Sequence, residues 1–150
     1  MKKFQRLAFC LLVKGLLFSC SSDDDGGGTS ASIEAKWTPI KTVFKASGVS
    51  QTVNYDQNEA GCDKDYIQFV TGGSLKDAVY YKNSAEVCTE DADSQGTWVR
   101  TGDNLVIANS NDYDGSYDIK KLNSTDLQIH GTEDLGGVNA DVTVYFKKVN

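Results

Sequence analysis

A single histidine is the main candidate for acid–base or nucleophilic chemistry in this chain of 150 residues. His130 follows Leu127 and Ile129 in a run typical of a β-strand, and alternation along a strand points its side chain away from the face those two residues share, towards solvent. No pattern places a hydroxyl or a thiol beside it, so the Ser-His-Asp and Cys-His arrangements of nucleophilic hydrolases lack partners. We therefore expect no catalytic residue and no enzyme.

The carboxylates are numerous but match no known site. Twenty-one Asp and Glu residues would suffice for a glycosidase-type pair, which counting alone does not exclude. The segment 109–115 is superficially similar to a calcium loop, but aligning Gly115 with the invariant glycine puts Ser110 at the first aspartate and Lys121 at the bidentate glutamate. The segment is predicted to be a hairpin turn, and neither a metal site nor a cofactor is expected.

Residues 1–19 have the layout of a secretory signal. Lys2, Lys3 and Arg6 precede a mostly apolar stretch over 7–18, which Lys14 interrupts. This stretch is too short to span a bilayer stably. We expect residues 1–19 to be removed from the mature protein.

Cys20 ends a motif that could undergo lipid modification. The stretch Leu17-Phe18-Ser19-Cys20 resembles the lipobox of bacterial lipoproteins, which implies that Cys20 is acylated and becomes the mature N-terminus. Because each buried acyl CH₂ contributes roughly 0.8 kcal/mol, several chains would hold a soluble domain at a membrane. The alternative is an ordinary signal peptide cleaved nearby, with Cys20 as a spare thiol.

Residues 20–31 are predicted to be a flexible, self-repelling tether, because three aspartates and three glycines cannot bury apolar surface. The Ser-Asp-Asp-Asp order at 22–25 resembles the export signal of Bacteroidota lipoproteins. That resemblance implies a protein anchored in the outer membrane and exposed at the cell surface. The periplasmic face is the alternative.

The net charge excludes some partners. Removing residues 1–19 takes away four basic side chains and no acidic one, which changes the net charge from −6 to −10. Such a charge repels nucleic acid and anionic lipid headgroups, and the sequence shows no basic patch that would attract them. We expect no nucleic-acid partner, and membrane contact through the lipid anchor alone.

Two cysteines remain for the exported domain. Cys10 leaves with the signal and Cys20 is assigned to the anchor, so Cys62 and Cys88 are expected to pair as a disulfide. Closing a loop of about 27 residues would contribute roughly 3.5 kcal/mol in the chain-entropy model. The acidic residues Glu86, Glu90, Asp91 and Asp93 around Cys88 are predicted to lie on a loop.

Residues 32–150 are predicted to form one all-β domain. Short runs rich in Val, Ile, Thr, Tyr and Phe alternate with polar residues, and turn residues separate them at close intervals. The predicted strands are 33–46, 50–55, 65–70, 74–82, 95–101, 103–109, 115–122, 125–130 and 138–148. Short connections require antiparallel neighbours.

Eight or nine strands without helices to cover a sheet face predict an antiparallel up-and-down barrel. The first strand, around Trp37, is expected to pair with the last, around Val144. The predicted inward faces are Ile67/Phe69, Leu75/Val79/Tyr81, Leu105/Ile107, Tyr117/Ile119, Leu127/Ile129 and Val142/Val144/Phe146.

Several segments together resemble one family. These segments are Cys62-Asp63-Lys64-Asp65-Tyr66-Ile67-Gln68-Phe69, Cys88, Gly96-Thr97-Trp98, Asn104-Leu105-Val106-Ile107, and Tyr117 to Leu122 before Leu127. Together they are similar to the lipocalin-like domain of Bacteroidota lipoproteins, and the similarity extends over about 33–149. The resemblance implies an eight-stranded barrel. Lipocalins open with Gly-x-Trp, in which the tryptophan plugs the barrel base. Here Ala35-Lys36-Trp37 lacks the glycine, and Trp37 is the candidate plug.

Asp77 interrupts the predicted interior face between Leu75 and Val79, where an unpaired carboxylate would be costly. Either the strand bulges and turns Asp77 outward, or the interior is wet enough to hold it. Arg100 shares a face with Trp98, and a pair of Asp77 and Arg100 would give a pocket a polar anchor. The simpler alternative places both residues at strand ends in water.

Two functions are consistent with the sequence. The first is a module that binds a small hydrophobic or amphipathic ligand inside the barrel. The second is a non-catalytic structural or interaction module that contacts another protein or surface component of the cell envelope. For the first, the candidate lining residues are Trp37, Phe69, Asp77, Tyr81, Trp98, Arg100, Tyr117 and Phe146.

Overall fold

The computed structural model describes residues 31–110 and 112–149, with the backbone alone at 93 and 94. The predicted signal peptide, Cys20 and almost all of the tether therefore lie outside the described residues. Within them there is no helix, and hence none able to cross a membrane. The nine strands are β1 (Lys36–Ala46), β2 (Val49–Asn54), β3 (Tyr66–Val70), β4 (Ser74–Lys82), β5 (Cys88–Thr101), β6 (Asn104–Ala108), β7 (Gly115–Leu122), β8 (Asp126–Asp134) and β9 (Asn139–Lys148).

Eight of these strands close into an antiparallel barrel, which confirms the predicted fold class. Each strand from β3 to β8 pairs with the strand that follows it in the sequence, and β1 closes the ring by pairing with both β9 and β3. The β1–β9 pairing is long and places Thr42 opposite Val144, whereas β1 meets β3 only at Lys36 and Trp37. The ninth strand, β2, forms a hairpin with the second half of β1, and all its residues are exposed.

The two ends of the barrel differ in their connections. We call the lower end the one where β1 begins and β9 ends, and the upper end the opposite one. Short turns at 71–73, 102–103 and 123–125 connect strands at the lower end. The connections at 83–87, 109–114 and 135–138 lie at the upper end.

The apolar core fills the lower and middle part of the barrel. Strand alternation sends every second side chain inward, and the largest fully buried ones are Trp37, Phe69, Phe146, Ile67, Leu75, Leu105, Ile107, Leu127 and Ile129. The indole Nε1 of Trp37 donates a hydrogen bond to the Ile33 carbonyl at 2.8 Å, so the buried polar atom of this side chain is satisfied. Trp37 thus fills the barrel base although the preceding glycine is missing.

Strand β5 is longer than predicted, and the prediction of an acidic loop around Cys88 is right for Glu86 but wrong for Glu90, Asp91 and Asp93. Residues 88–93 pair with 77–82 of β4, so Glu90 and Asp91 lie on a strand. The sequence hid this strand because its residues are acidic and polar on both faces. The register of the β4–β5 pairing shifts at a bulge between Leu75 and Asp77. This bulge separates the upper part of the hairpin from the apolar part below.

The predicted disulfide between Cys62 and Cys88 is confirmed. It connects the base of the upper β4–β5 hairpin loop to the segment 55–65, with a Cα–Cα distance of 5.5 Å. The segment 55–65 joins β2 to β3 and runs beside β1, where the Tyr55 amide donates to the Ile40 carbonyl at 2.8 Å. The disulfide therefore fastens the β4–β5 connection to the segment that precedes β3.

Candidate functional site

A cavity of about 230 Å³ opens at the upper end of the barrel. It lies between the inner faces of β1, β7, β8 and β9 and the residues just before β7. Its lining residues are Thr42, Phe44, Asp112, Tyr113, Asp114, Tyr117, Gly131, Thr132, Glu133, Val142 and Val144. The wall thus combines aromatic and aliphatic surface with three carboxylates.

Strand register explains why the apolar part of this wall faces inward. Thr42 is opposite Val144 and Phe44 is opposite Val142 across the β1–β9 ladder. Val144 is in turn opposite Ile129, which is fully buried in the core. Because residues opposite each other share a face of the sheet, this row continues the core upwards and becomes the cavity wall.

Tyr113 descends into the barrel from the connection between β6 and β7. Its ring packs against Phe146 with the ring centroids 5.6 Å apart, so it forms the floor between the cavity and the core. The Tyr113 amide donates to Ser110 Oγ at 3.3 Å, and Asp114 Oδ1 accepts from the Ser110 amide at 2.6 Å. These two bonds give the loop the hairpin geometry expected from its sequence.

Tyr117 owes its position to a glycine on the neighbouring strand. Its ring lies against the backbone of Gly131, where an added Cβ would be only 2.9 Å from the ring Cδ1. A larger residue at position 131 would displace the ring. Gly131 therefore sets the position of one aromatic wall of the cavity.

The charges around the cavity are negative. The pKa of the Tyr113 hydroxyl is raised, first by burial and then by the charges of Asp77 and Asp112. The pKa of Tyr117 is also raised, first by burial and then by Glu133 and Asp114. Both shifts report a site that resists additional negative charge.

Asp77 faces the barrel interior, which decides between the two alternatives that the sequence left open. It is opposite Ile67 on β3, a core residue, and its Oδ2 atom is buried. The bulge places its extra residue on β5, because Leu75 is opposite Gly96 while Asp77 is opposite Asp93. The orientation of Asp77 therefore does not change, and its charge acts on the tyrosines of the upper interior.

Three predicted lining residues belong to the packed core instead. Trp37, Phe69 and Phe146 are at most 2% exposed and do not line this cavity. The pattern predicted their inward orientation correctly. Alternation does not distinguish a filled level of a barrel from a hollow one, which is why the lining assignment is wrong for these three.

The other predicted lining residues lie in three different places. Tyr117 lines the cavity, as predicted. Trp98 packs edge-on against Phe69 at the lower end, with ring centroids 5.5 Å apart, and its Nε1 donates to the Val70 carbonyl. Tyr81 is 45% exposed on the upper β4–β5 hairpin, so its predicted interior position is wrong.

The pair of Asp77 and Arg100, one of the alternatives that the sequence left open, is not formed. Ser74 is opposite Thr97, and from there Asp77 and Arg100 lie three residues away in opposite directions, a separation of about 20 Å at the strand rise. Arg100 instead donates from Nε to the Gly102 carbonyl at 2.7 Å and from Nη1 to the Ala31 carbonyl at 3.3 Å. It therefore fastens Ala31 to the lower end of the barrel.

A buried carboxylate that the sequence did not reveal organises the segment 55–65. Asp65 is 3% exposed; its Oδ2 accepts from the Tyr55 hydroxyl and its Oδ1 from the Tyr80 amide, both at 2.6 Å. Its own amide donates to Asn58 Oδ1 at 3.0 Å. A buried charge with this many donors is stable, so Asp65 has a structural role.

His130 lies on the outer face of β8, as predicted. Its Nδ1 is 3.2 Å from Thr143 Oγ1 on β9, and the side chain is half-buried. The partner is a strand neighbour, and His130 does not line the cavity.

Sequence reasoning missed most of the cavity wall. Phe44 and Thr42 follow the inward alternation of β1 only after the register shift between Pro39 and Lys41, which the sequence does not show. Tyr113 lies in a connection, where no periodicity applies. The available signal was the aromatic residue between two aspartates at 112–114.

Comparison with protein families places the chain in one of them. The family model described as a lipocalin-like domain matches residues 24–129, more than half of the chain. The matched range covers β1 to the middle of β8, and β9 then completes the ring. No curated protein sequence matches the chain.

Proposed function

The chain belongs to the lipocalin-like domain family, and from this premise we propose that it binds a small, partly apolar molecule in the cavity at the upper end of its barrel. The observation that carries the proposal is the change from a filled lower interior to a cavity of about 230 Å³ bounded by Phe44, Tyr113 and Tyr117. For scale, an apolar cavity of about 150 Å³ in another protein binds benzene. The ligand is therefore of the size of one or two rings.

The charge of the wall selects among ligands of that size. Asp112, Asp114 and Glu133 line the cavity and are mostly exposed at its rim, so an anionic ligand would enter against their field. A cationic group could contact these carboxylates while an apolar ring packs on the aromatic wall. We propose that neutral and cationic ligands bind better than anionic ones.

A matched series of ligands tests both parts of this proposal. Indole, tryptamine and indole-3-acetate share one ring system and differ in charge, and each is titrated into the full chain by isothermal calorimetry. We expect tryptamine to bind at least as tightly as indole, and indole-3-acetate to bind at least tenfold more weakly than tryptamine. Equal affinity for all three would contradict the charge preference.

A cavity-filling variant tests the location. Val142→Phe places a large ring in the cavity, and Val99→Phe makes the same change on the outer face, where Val99 is 64% exposed. Binding should be lost in Val142→Phe and retained in Val99→Phe. If none of the three indoles bound the wild-type chain, the proposal would fail and the interaction module would become the better hypothesis.

We further propose that acyl chains on Cys20 anchor the barrel in the outer membrane at the cell surface, with residues 20–31 as its tether. The motif 17–20 and the acidic residues that follow it support this proposal. Mass spectrometry of the mature N-terminus should find Cys20 acylated. Protease added to intact cells should remove the barrel domain if it is exposed at the surface, and should leave it intact if it faces the periplasm.

A further inference from the structure

The fold brings together lysines that are far apart in the sequence. A groove of about 490 Å³ crosses the outer face of β1 at its first residues, between the end of β9 and the segment 62–66. Four of its ten lining residues are lysines. They are Lys36, Lys64, Lys147 and Lys148, and the others are Thr38, Cys62, Asp63, Tyr66, Tyr80 and Val149. We call this feature the lysine groove.

Most of the positive charge in the lysine groove is not neutralised by the protein. Among the residues that the structure describes, Lys64 and Lys148 form no ion pair and are exposed. Lys36 Nζ lies 4.1 Å from the centre of the Tyr66 ring, a contact that leaves its charge in place. Lys147 pairs with Asp126, and Asp63 is the single carboxylate in the lining.

The floor of the groove is fixed and offers few other donors. The Tyr66 and Tyr80 hydroxyls both donate to Glu90, at 2.9 and 2.8 Å. The Thr38 hydroxyl donates to the Asp65 carbonyl at 2.5 Å. With these hydroxyls engaged, the lysine ammonium groups are the donors that remain for a ligand.

We propose that the lysine groove is a binding site for a phosphate-type anion, either a free phosphate compound or the phosphate of a lipid headgroup. Lysine recognises phosphate as a point charge, and several ammonium groups around one groove favour an anion with more than one negative charge. The site is independent of the proposed cavity, because it lies on the outer wall and shares none of its lining residues. It is also the exception to the acidic character of the chain, whose sequence contains no basic run.

Titration of the full chain with inorganic pyrophosphate at low ionic strength tests the site. The test variant is Lys64→Gln/Lys148→Gln, and the control is Lys45→Gln/Lys82→Gln, which removes the same charge at exposed positions outside the groove. We expect the test variant to bind pyrophosphate at least tenfold more weakly than wild type, and the control to stay within twofold. Unchanged thermal unfolding would show that both variants fold.

Flotation with vesicles identifies the source of the phosphate. Vesicles of phosphatidylcholine with or without phosphatidylglycerol differ only in anionic headgroups, and the N-terminal segment is common to all variants. A lipid source would be supported if the chain bound more strongly to vesicles with phosphatidylglycerol and the test variant alone lost this extra binding. A free phosphate compound would be supported if the chain bound pyrophosphate but showed no extra binding to phosphatidylglycerol. Equal losses in both variants would reduce the effect to net charge and overturn the proposal, as would the absence of binding to both probes.

Discussion

The lower and upper halves of the barrel interior are built from the same strands but are packed differently. In the lower half, Trp37, Phe69 and Leu127 are fully buried and leave no space for a ligand. In the upper half, Phe44 and Tyr117 remain partly exposed around a cavity. One barrel therefore has a filled, stabilising level at one end and an open level at the other.

The residue types at equivalent interior positions account for this difference. Along β8, the inward positions change from Leu127 and Ile129 to Gly131 and Glu133 as the strand rises. Along β4, they change from Leu75 to Asp77. Small and charged residues cannot fill the upper level, so the interior opens there.

Replacing Trp37 by alanine should cause the largest loss of stability. The change creates a cavity in the filled lower half and removes the hydrogen bond to Ile33, at a cost of about 3–5 kcal/mol in the free energy of unfolding. Urea denaturation followed by circular dichroism measures this. A loss below about 1 kcal/mol would show that the lower half is not the stabilising half.

Removing the disulfide should cost slightly less, because it fastens two connections and fills no part of the core. We expect Cys62→Ala/Cys88→Ala to lower the free energy of unfolding by about 3.5 kcal/mol, as the chain-entropy model gives for a loop of this size. The matched comparison is the wild-type chain with and without reductant. If both comparisons left the urea midpoint unchanged, the disulfide would have no part in fastening these two connections.

The lower half is the part of the molecule that sequence could predict. Its strands show apolar alternation, and the inward positions at Leu105/Ile107 and Leu127/Ile129 were identified correctly. The pairing of the first and last strands also followed from closing a meander. The inward positions follow from alternation within each strand, and the pairing follows from the order of the strands that the alternation identifies.

The upper half was harder to predict, because its features depend on contacts distant in sequence. Residues 88–93 are polar on both faces and form a strand only by pairing with β4. Tyr113 packs on Phe146 from 33 residues away in sequence. The same reason applies to the lysine groove at the lower end, which joins Lys36 of the first strand to Lys148 of the last, so no local pattern could show it.

Replacing Phe44 by alanine should separate binding from stability. Because Phe44 borders existing space and is only half-buried, we expect a loss of stability below about 1.5 kcal/mol. The affinity for tryptamine should fall about tenfold. Denaturation and calorimetry on the same sample measure both, and a loss of stability as large as that of Trp37→Ala would contradict the contrast between the two halves.

The smallest effect should come from the outer wall and should depend on pH. Hydrogen bonds from Lys76 and Tyr80 lower the pKa of Glu90 from 4.5 to about 2, so its contribution to stability is present above pH 4.5 and is lost as the pH falls towards 2. Glu90→Gln should therefore lower the free energy of unfolding by less than about 1 kcal/mol at pH 7, because the pair is partly exposed.

The pH dependence of this loss tests its cause. The difference in the free energy of unfolding between wild type and Glu90→Gln should shrink towards zero between pH 4.5 and pH 2 in parallel urea titrations. Glu86→Gln, at an exposed position, controls for the loss of one carboxylate. A difference that stayed constant over this range would exclude the charge of Glu90 as its cause.

A residue-resolved nuclear magnetic resonance titration of the full chain with tryptamine tests the proposed binding site directly. We expect chemical-shift changes at Phe44, Tyr117, Gly131 and Val142, with none beyond the noise at Trp37, Phe69 and Leu127. Saturable changes centred on the lower residues, or none at all, would contradict the claim that the upper half of the barrel is the half that binds.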